Sequence, residues 1–190
     1  ALVALLPLGL AACGGEAATE TWVGRVSDSD VVVAVVRGES SVRAYMCGGP
    51  TSFATRSRWF NGSADESGAF EATADGWTFA SELGEEEASG TLTPAIGEVL
   101  SFTAMAVEED GTAGLYGAQS YGCRTGVVVG LESSGEPWLQ GTWCNDQGQF
   151  EQVTPVLPIE RGDLGIHVAV DLTDIGKGKL DLHALPVLVR

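Results

Sequence analysis

The chain has 190 residues, 44% of them hydrophobic, and a net charge of −16. Its length suits one domain, or two small ones, with a buried core. No basic residue lies between Arg58 and Arg124, whereas acidic residues recur throughout that stretch. Such a surface repels nucleic acid and anionic lipid headgroups, which argues against both as partners, and it suits a cation or a basic partner. The alternative is a solvated acidic face without a specific partner.

The first twelve residues form an apolar run, ALVALLPLGLAA, which is shorter than the roughly 20 residues that a membrane-spanning helix needs. The run is typical of the hydrophobic part of a secretory signal peptide that lacks its basic start. It ends in Leu10-Ala11-Ala12-Cys13, which resembles the lipobox of bacterial lipoproteins. The alternative is that residues 1–12 form a buried strand or helix of the domain.

The resemblance to lipoproteins implies that Cys13 carries a covalent lipid and becomes the first residue of the mature chain. We therefore expect residues 1–12 to be a signal-peptide remnant and residues 13–20 a tether. Several acyl chains give a stable anchor, so the expected location is the extracytoplasmic side of a bacterial membrane. Apart from this covalent lipid, we expect no cofactor.

From residue 21 onward the sequence predicts an all-β domain that extends to residue 190. No helical periodicity persists, and short alternating segments are separated by Gly, Ser, Asp and Asn. The runs Val31–Val36 and Val127–Val129 are apolar at successive positions, which is typical of strands buried on both faces. About 12 to 14 strands at this spacing indicate an antiparallel sandwich or barrel.

A weak internal repeat suggests two halves, residues 21–110 and 111–190. In each half a valine run is followed by a cysteine, Cys47 or Cys144, and then by Gly-x-Phe-Glu at residues 68–71 or 148–151. The spacings between cysteine and phenylalanine differ, so duplication is one of two open interpretations.

Export to an oxidising compartment allows cysteines to pair, and lipidation of Cys13 leaves three of them. A two-residue hairpin tip at Ser133 and Ser134 would place Cys123 directly opposite Cys144, within reach of a disulfide. We predict this disulfide, with Cys47 as a buried free thiol.

Residues 118–122 read Ala-Gln-Ser-Tyr-Gly, which is similar to a variant nucleophile elbow of α/β-hydrolases. That resemblance would make Ser120, Asp174 and His183 a catalytic triad in the required order. The residues after Ser120 read as a strand, however, whereas the elbow needs a helix there.

The C-terminal hairpin is the best place to look for a metal. Alternation along its two strands places His167 and Asp171 on the same face as Asp181 and His183, and these are zinc-ligand types. We nevertheless expect no functional metal, because Lys177 and Lys179 oppose a cation and the strands offer few partners to orient the imidazoles. The alternative is an ordinary solvent-facing side.

The sequence as a whole favours a non-enzymatic binding or structural module of the cell envelope with an unknown protein or small-molecule ligand. The alternative is a hydrolase that uses either Ser120 or a metal on the C-terminal hairpin. The aromatic side chains considered for ligand binding are Trp59, Trp77, Trp138 and Trp143, although core packing is the favoured interpretation for each one taken singly.

Overall fold

A computed structural model describes residues 19–108, 111–120, 123–145, 147–153, 155–162, 165–171 and 179–187. For the strand residues 118–120, 123–124, 150, 155–158, 168–171 and 179–185 it describes the backbone only. Cys13 and Asp174 therefore lie outside the described residues, as do the side chains of Ser120, Cys123, Asp171, Asp181 and His183.

The prediction of an all-β fold is confirmed. The one helix among the described residues, α1 (Phe53–Arg56), has four residues, so no described helix is long and apolar enough to cross a membrane. The strands are β1 (Glu20–Val26), β2 (Val32–Arg37), β3 (Val42–Cys47), β4 (Arg58–Gly62), β5 (Ala69–Ala74), β6 (Trp77–Leu83), β7 (Glu87–Pro94), β8 (Leu100–Ala106), β9 (Gly114–Ser120), β10 (Cys123–Leu131), β11 (Pro137–Cys144), β12 (Phe150–Gln152), β13 (Pro155–Gly162), β14 (Gly165–Asp171) and β15 (Lys179–Pro186).

The first eight strands form one antiparallel sheet that nearly closes into a barrel. Their order is β4-β3-β2-β1-β8-β7-β6-β5, and a bridge between Ala64 and Phe70 joins the two edges. Side chains of the inner face fill the barrel. Phe79 lies at the centre of this core, with its ring centroid 5.0 to 5.8 Å from those of Phe60, Phe70 and Phe102.

The remaining strands form a second antiparallel sheet, in the order β12-β11-β10-β9-β15-β14-β13. One face of this sheet has its own core, which includes Tyr116, Trp143 and Ile166. The other face packs on the outside of the barrel, where Leu115, Val128 and Val187 contact side chains of β1, β2 and β3.

Packing between the sheets explains the two valine runs. In the first run, Val33 and Val35 point into the barrel, whereas Val32 and Val36 lie between the sheets. In the second run, Val128 lies between the sheets, whereas Val127 and Val129 belong to the second core. Both runs are therefore strands buried on both faces, as the sequence predicts.

The two sheets have the same winding plan. In each, a four-strand meander is followed by a second meander whose last strand pairs with the first strand of the sheet. The two Gly-x-Phe-Glu segments follow similar turns, in which the side chain of Asp65 or Asn145 accepts hydrogen bonds from backbone N–H groups two and four residues later. The two segments nevertheless lead into strands that do not correspond. The first segment leads into β5, the fifth strand of the first sheet, and the second leads into β12, the fourth strand of the second sheet.

The hairpin that joins β10 to β11 differs from the predicted one. Its loop has three residues, 133 to 135, because Glu132 and Glu136 are still paired and Gly135 adopts a φ of 84°. In the observed register Gly126 is opposite Thr142, and Leu131 is opposite Pro137. This register differs by one residue from the register that would place Cys123 opposite Cys144. The predicted register is wrong, and the disulfide between Cys123 and Cys144 stays a prediction.

Candidate functional site

Buried hydrogen bonds join the second sheet to the barrel. The Tyr45 and Thr142 hydroxyl groups are 2.8 Å apart, with both residues buried. The Gln140 side-chain amide donates to two barrel carbonyls, those of Asp30 and Cys47, each at 2.8 Å. Because buried carbonyl groups that lack a partner are costly, these bonds fix the position of β11 against the ends of β2 and β3.

Burial between the sheets also sets the protonation of two side chains. Loss of solvent raises the pKa of the Cys47 thiol to about 12 and raises the pKa of Tyr45 well above its ordinary value. Cys47 is a buried free thiol, as predicted. Because reactive cysteines need a lowered pKa and access to solvent, Cys47 is unsuited to nucleophilic chemistry.

Asp30 orders the neighbouring loop at the place where Gln140 connects the second sheet to the barrel. Burial acts to raise its pKa, but hydrogen bonds from Ser52 and Thr51, at 2.6 Å from each hydroxyl group, hold the pKa below its usual value. Both carboxylate oxygens already accept hydrogen bonds, so Asp30 is a structural anchor for residues 51 and 52 rather than a proton carrier.

An apolar groove runs along the line where the barrel meets the β10–β11 hairpin. It encloses about 380 Å³, within the size range of small-ligand pockets. Val23 and Met105, directly paired across β1 and β8, form the barrel wall, and Leu131 and Trp138 form the hairpin wall. Met105 is 53% exposed and Leu131 is 54% exposed, so the groove presents two large aliphatic side chains to solvent.

Trp138 is held in place from both sides. Its indole lies over Gly130, its cross-strand partner, where a Cβ would meet ring atoms at 2.2 to 2.8 Å. The Arg25 guanidinium lies 4.8 Å from the ring centroid and forms a 2.5 Å ion pair with Glu132. The ion pair is exposed and contributes little free energy, but with the cation–π contact it orients the hairpin end against β1.

Trp138 also lines a second, polar cleft of about 260 Å³. Arg25, Asp30 and Gln140 contribute to its lining. Because Asp30 and Gln140 are engaged in the contacts that join the sheets, this cleft lacks the uncommitted polar groups that a specific ligand would require.

The four tryptophans considered for binding have different environments. Trp143 is 5% exposed and belongs to the second core, so core packing, the interpretation favoured for each tryptophan singly, is confirmed for Trp143. Trp59 packs against Tyr45 with ring centroids 4.6 Å apart, and Trp77 lies below the Arg58 guanidinium. Trp138 lines both the apolar groove and the polar cleft.

Sequence reasoning missed the aliphatic residues of the groove. Met105 occupies an outward position of β8, where alternation predicts a solvent-facing side chain, and Leu131 is the last residue of β10. A large apolar residue at an outward strand position is a usable signal of a binding surface. The sequence does not show, however, that the opposite wall of the groove comes from the distant β10–β11 hairpin.

The residues predicted for hydrolase chemistry are only partly described. Ser120 ends β9 and His183 lies in β15, but the side chains of both, and all of Asp174, lie outside the described residues. For the metal candidates, His167 is directly opposite His183, Ala169 opposite Asp181, and Asp171 opposite Lys179. Among fully described side chains, no group of three His, Cys, Asp or Glu could hold a metal ion.

Comparison with protein-family models, with curated proteins and with solved structures finds no match to this chain.

Proposed function

We propose that this protein is a non-enzymatic binding module of the cell envelope that accepts an apolar ligand in the groove between the barrel and the β10–β11 hairpin. The proposal rests on one observation: the half-exposed side chains of Met105 and Leu131 line the same groove as the fixed indole of Trp138. Large apolar side chains gathered at the rim of a concave surface are typical of binding sites. Methionine also adapts its shape to different apolar partners.

The free energy available from the groove is moderate. Full burial of a Leu or Met side chain is worth about 1.5–3 kcal/mol, so covering the exposed halves of Met105 and Leu131 contributes about 2 kcal/mol in total. The indole of Trp138, already ordered by its contacts with Gly130 and Arg25, adds further contact area. The groove therefore favours an aliphatic chain, or the apolar side chains of a peptide, over a charged ligand.

The test is titration of the protein with a neutral apolar dye, N-phenyl-1-naphthylamine, monitored by dye fluorescence. We expect saturable binding by the wild type and at least tenfold weaker binding by Met105→Asp and by Leu131→Asp, because each places a charge in the groove. The matched control is Ile96→Asp. Ile96 is 94% exposed on the β7–β8 loop, away from the groove, and this variant should bind as the wild type does.

Two results would contradict the proposal. The first is dye binding that does not saturate. The second is equal weakening by Ile96→Asp and Met105→Asp, which would indicate non-specific attraction of the dye to exposed apolar residues.

We also propose that the domain is anchored by a lipid on Cys13, on the basis of the lipobox-like residues Leu10 to Cys13. Intact mass measurement of the membrane fraction should show acyl additions on a chain that begins at Cys13. Cys13→Ala should release the protein from that fraction. A native chain that keeps residues 1–12 and carries no acyl group would refute the anchor.

A further inference from the structure

Three residues with metal-ligand side chains lie in one row across β13, β14 and β15. His167 is directly opposite Glu160 on one neighbouring strand and directly opposite His183 on the other. Directly opposed residues of antiparallel strands share a face of the sheet, with Cα atoms about 4.5–5.5 Å apart. Glu160 and His167 are exposed, whereas Ile166 is buried in the second core. The row therefore belongs to the face that is turned away from that core.

An irregularity in β13 creates this row. Pro155 and Val156 pair with Val170 and Ala169, but the register has shifted by two residues where Glu160 pairs with His167. Continued unchanged, the first register would place Pro158 opposite His167. Bulges re-aim side chains and are enriched next to functional sites, and here the register shift places a carboxylate rather than a proline opposite His167, the central residue of the row.

We propose that Glu160, His167 and His183 form a site for a divalent transition metal of the zinc type. Two imidazoles and one carboxylate are the protein ligands of many catalytic zinc sites, and they leave a coordination position open for water or another ligand. Asp181 is two residues from His183 on the same strand, directly opposite Ala169, so alternation assigns it to the same face of the sheet.

Two features of charge suit a cation here. The protein carries a net charge of −16, which raises the local concentration of cations. Lys179, which the sequence suggests would repel a metal, is four residues from His183 along β15, and its register partner is the acidic residue Asp171. Glu160 lies on a third strand, next to the two strands that were predicted to share the site, and it adds a carboxylate directly opposite His167.

The experiment is calorimetric titration of the full chain, purified without chelator and dialysed, with zinc chloride. We expect one zinc ion per chain and at least tenfold weaker binding by Glu160→Gln, by His167→Ala and by His183→Ala. Glu87→Gln, which changes an exposed carboxylate of the barrel, is the matched control and should bind zinc as the wild type does. Far-ultraviolet circular dichroism checks that each variant is folded.

Absence of saturable zinc binding by the wild type would overturn the proposal. So would a Glu160→Gln variant that binds zinc as tightly as the wild type, because the row would then lack its carboxylate ligand. The Glu160→Gln substitution replaces an exposed side chain with an uncharged one of the same shape, so it should not affect folding. Zinc binding by this variant therefore tests the proposal even if a histidine variant fails to fold.

Discussion

The Cys47 thiol lies on the outer face of the barrel wall, yet it is fully buried because the second sheet covers it. Next to it, the Tyr45 hydroxyl group is bonded to Thr142 of that sheet. Alternation along β3 places Tyr45 and Cys47 on the outward face of the barrel, so the sequence does not show that the second sheet covers them. Their protonation thus depends on packing between distant parts of the chain.

Stability should decrease at alkaline pH because of Cys47. The pKa of its thiol is about 12 in the folded protein, against an ordinary value of 9.0, so the folded chain keeps a proton that the unfolded chain loses. The free energy of unfolding is unaffected by Cys47 below pH 9 and falls between pH 9 and 12, by about 1.4 kcal/mol per pH unit. Urea unfolding at pH 8, 9 and 10 measures this slope.

Cys47→Ala is the control for the alkaline slope. It removes the titrating thiol, so the loss of stability between pH 9 and 10 should be smaller than in the wild type. Identical slopes in the two proteins would show that the thiol is not buried between the sheets. Tyr45 acts in the same direction, at higher pH, because its raised pKa also keeps a proton in the folded chain.

At the scale of the element, the β10 strand shows what sequence patterns predict well and what they miss. The run Val127–Val129 predicts a strand buried on both faces, and the structure confirms it because each face meets a different core. The sequence predicts a hairpin register one residue away from the observed one, because Ser133 and Ser134 resemble a two-residue tip. Gly135 in the left-handed region makes a three-residue loop, which Gly at this position allows.

The glycine at position 126 permits close contact between the sheets. A Cβ there would lie 2.4 to 2.7 Å from ring atoms of Tyr45. Gly126→Ala should therefore force the Tyr45 ring or β10 to move and should lower the free energy of unfolding by about 1–3 kcal/mol. Chemical denaturation measures the change.

Gly117 provides the matched control, because it is directly opposite Gly126 on β9. A Cβ at residue 117 would meet its nearest atoms at 3.5 Å, an ordinary contact. Gly117→Ala should therefore be close to neutral, since alanine also reduces the freedom of the unfolded chain. Equal destabilisation by the two substitutions would argue against close packing of Tyr45 on β10.

At the scale of the whole molecule, the sequence predicts the class of fold but not the site. Alternation and turn residues identify an antiparallel β protein with two possible halves, because those signals are local. The groove forms where the outer face of β1 and β8 packs beside the β10–β11 hairpin. These segments are distant in sequence, so no local pattern predicts that they pack together. The same holds for Glu160, whose place opposite His167 follows from a bulge.

The two methionines of the chain give the most direct test of the binding groove. Met105 is half-exposed in the groove, whereas Met46 is fully buried inside the barrel. The measurement is a nuclear magnetic resonance titration of ¹³C-methyl-methionine protein with a neutral alkyl maltoside below its micelle concentration. If the groove binds apolar ligands, the Met105 methyl signal should show a saturable shift, with no change at Met46. An unchanged Met105 signal, or equal shifts of both signals, would contradict it.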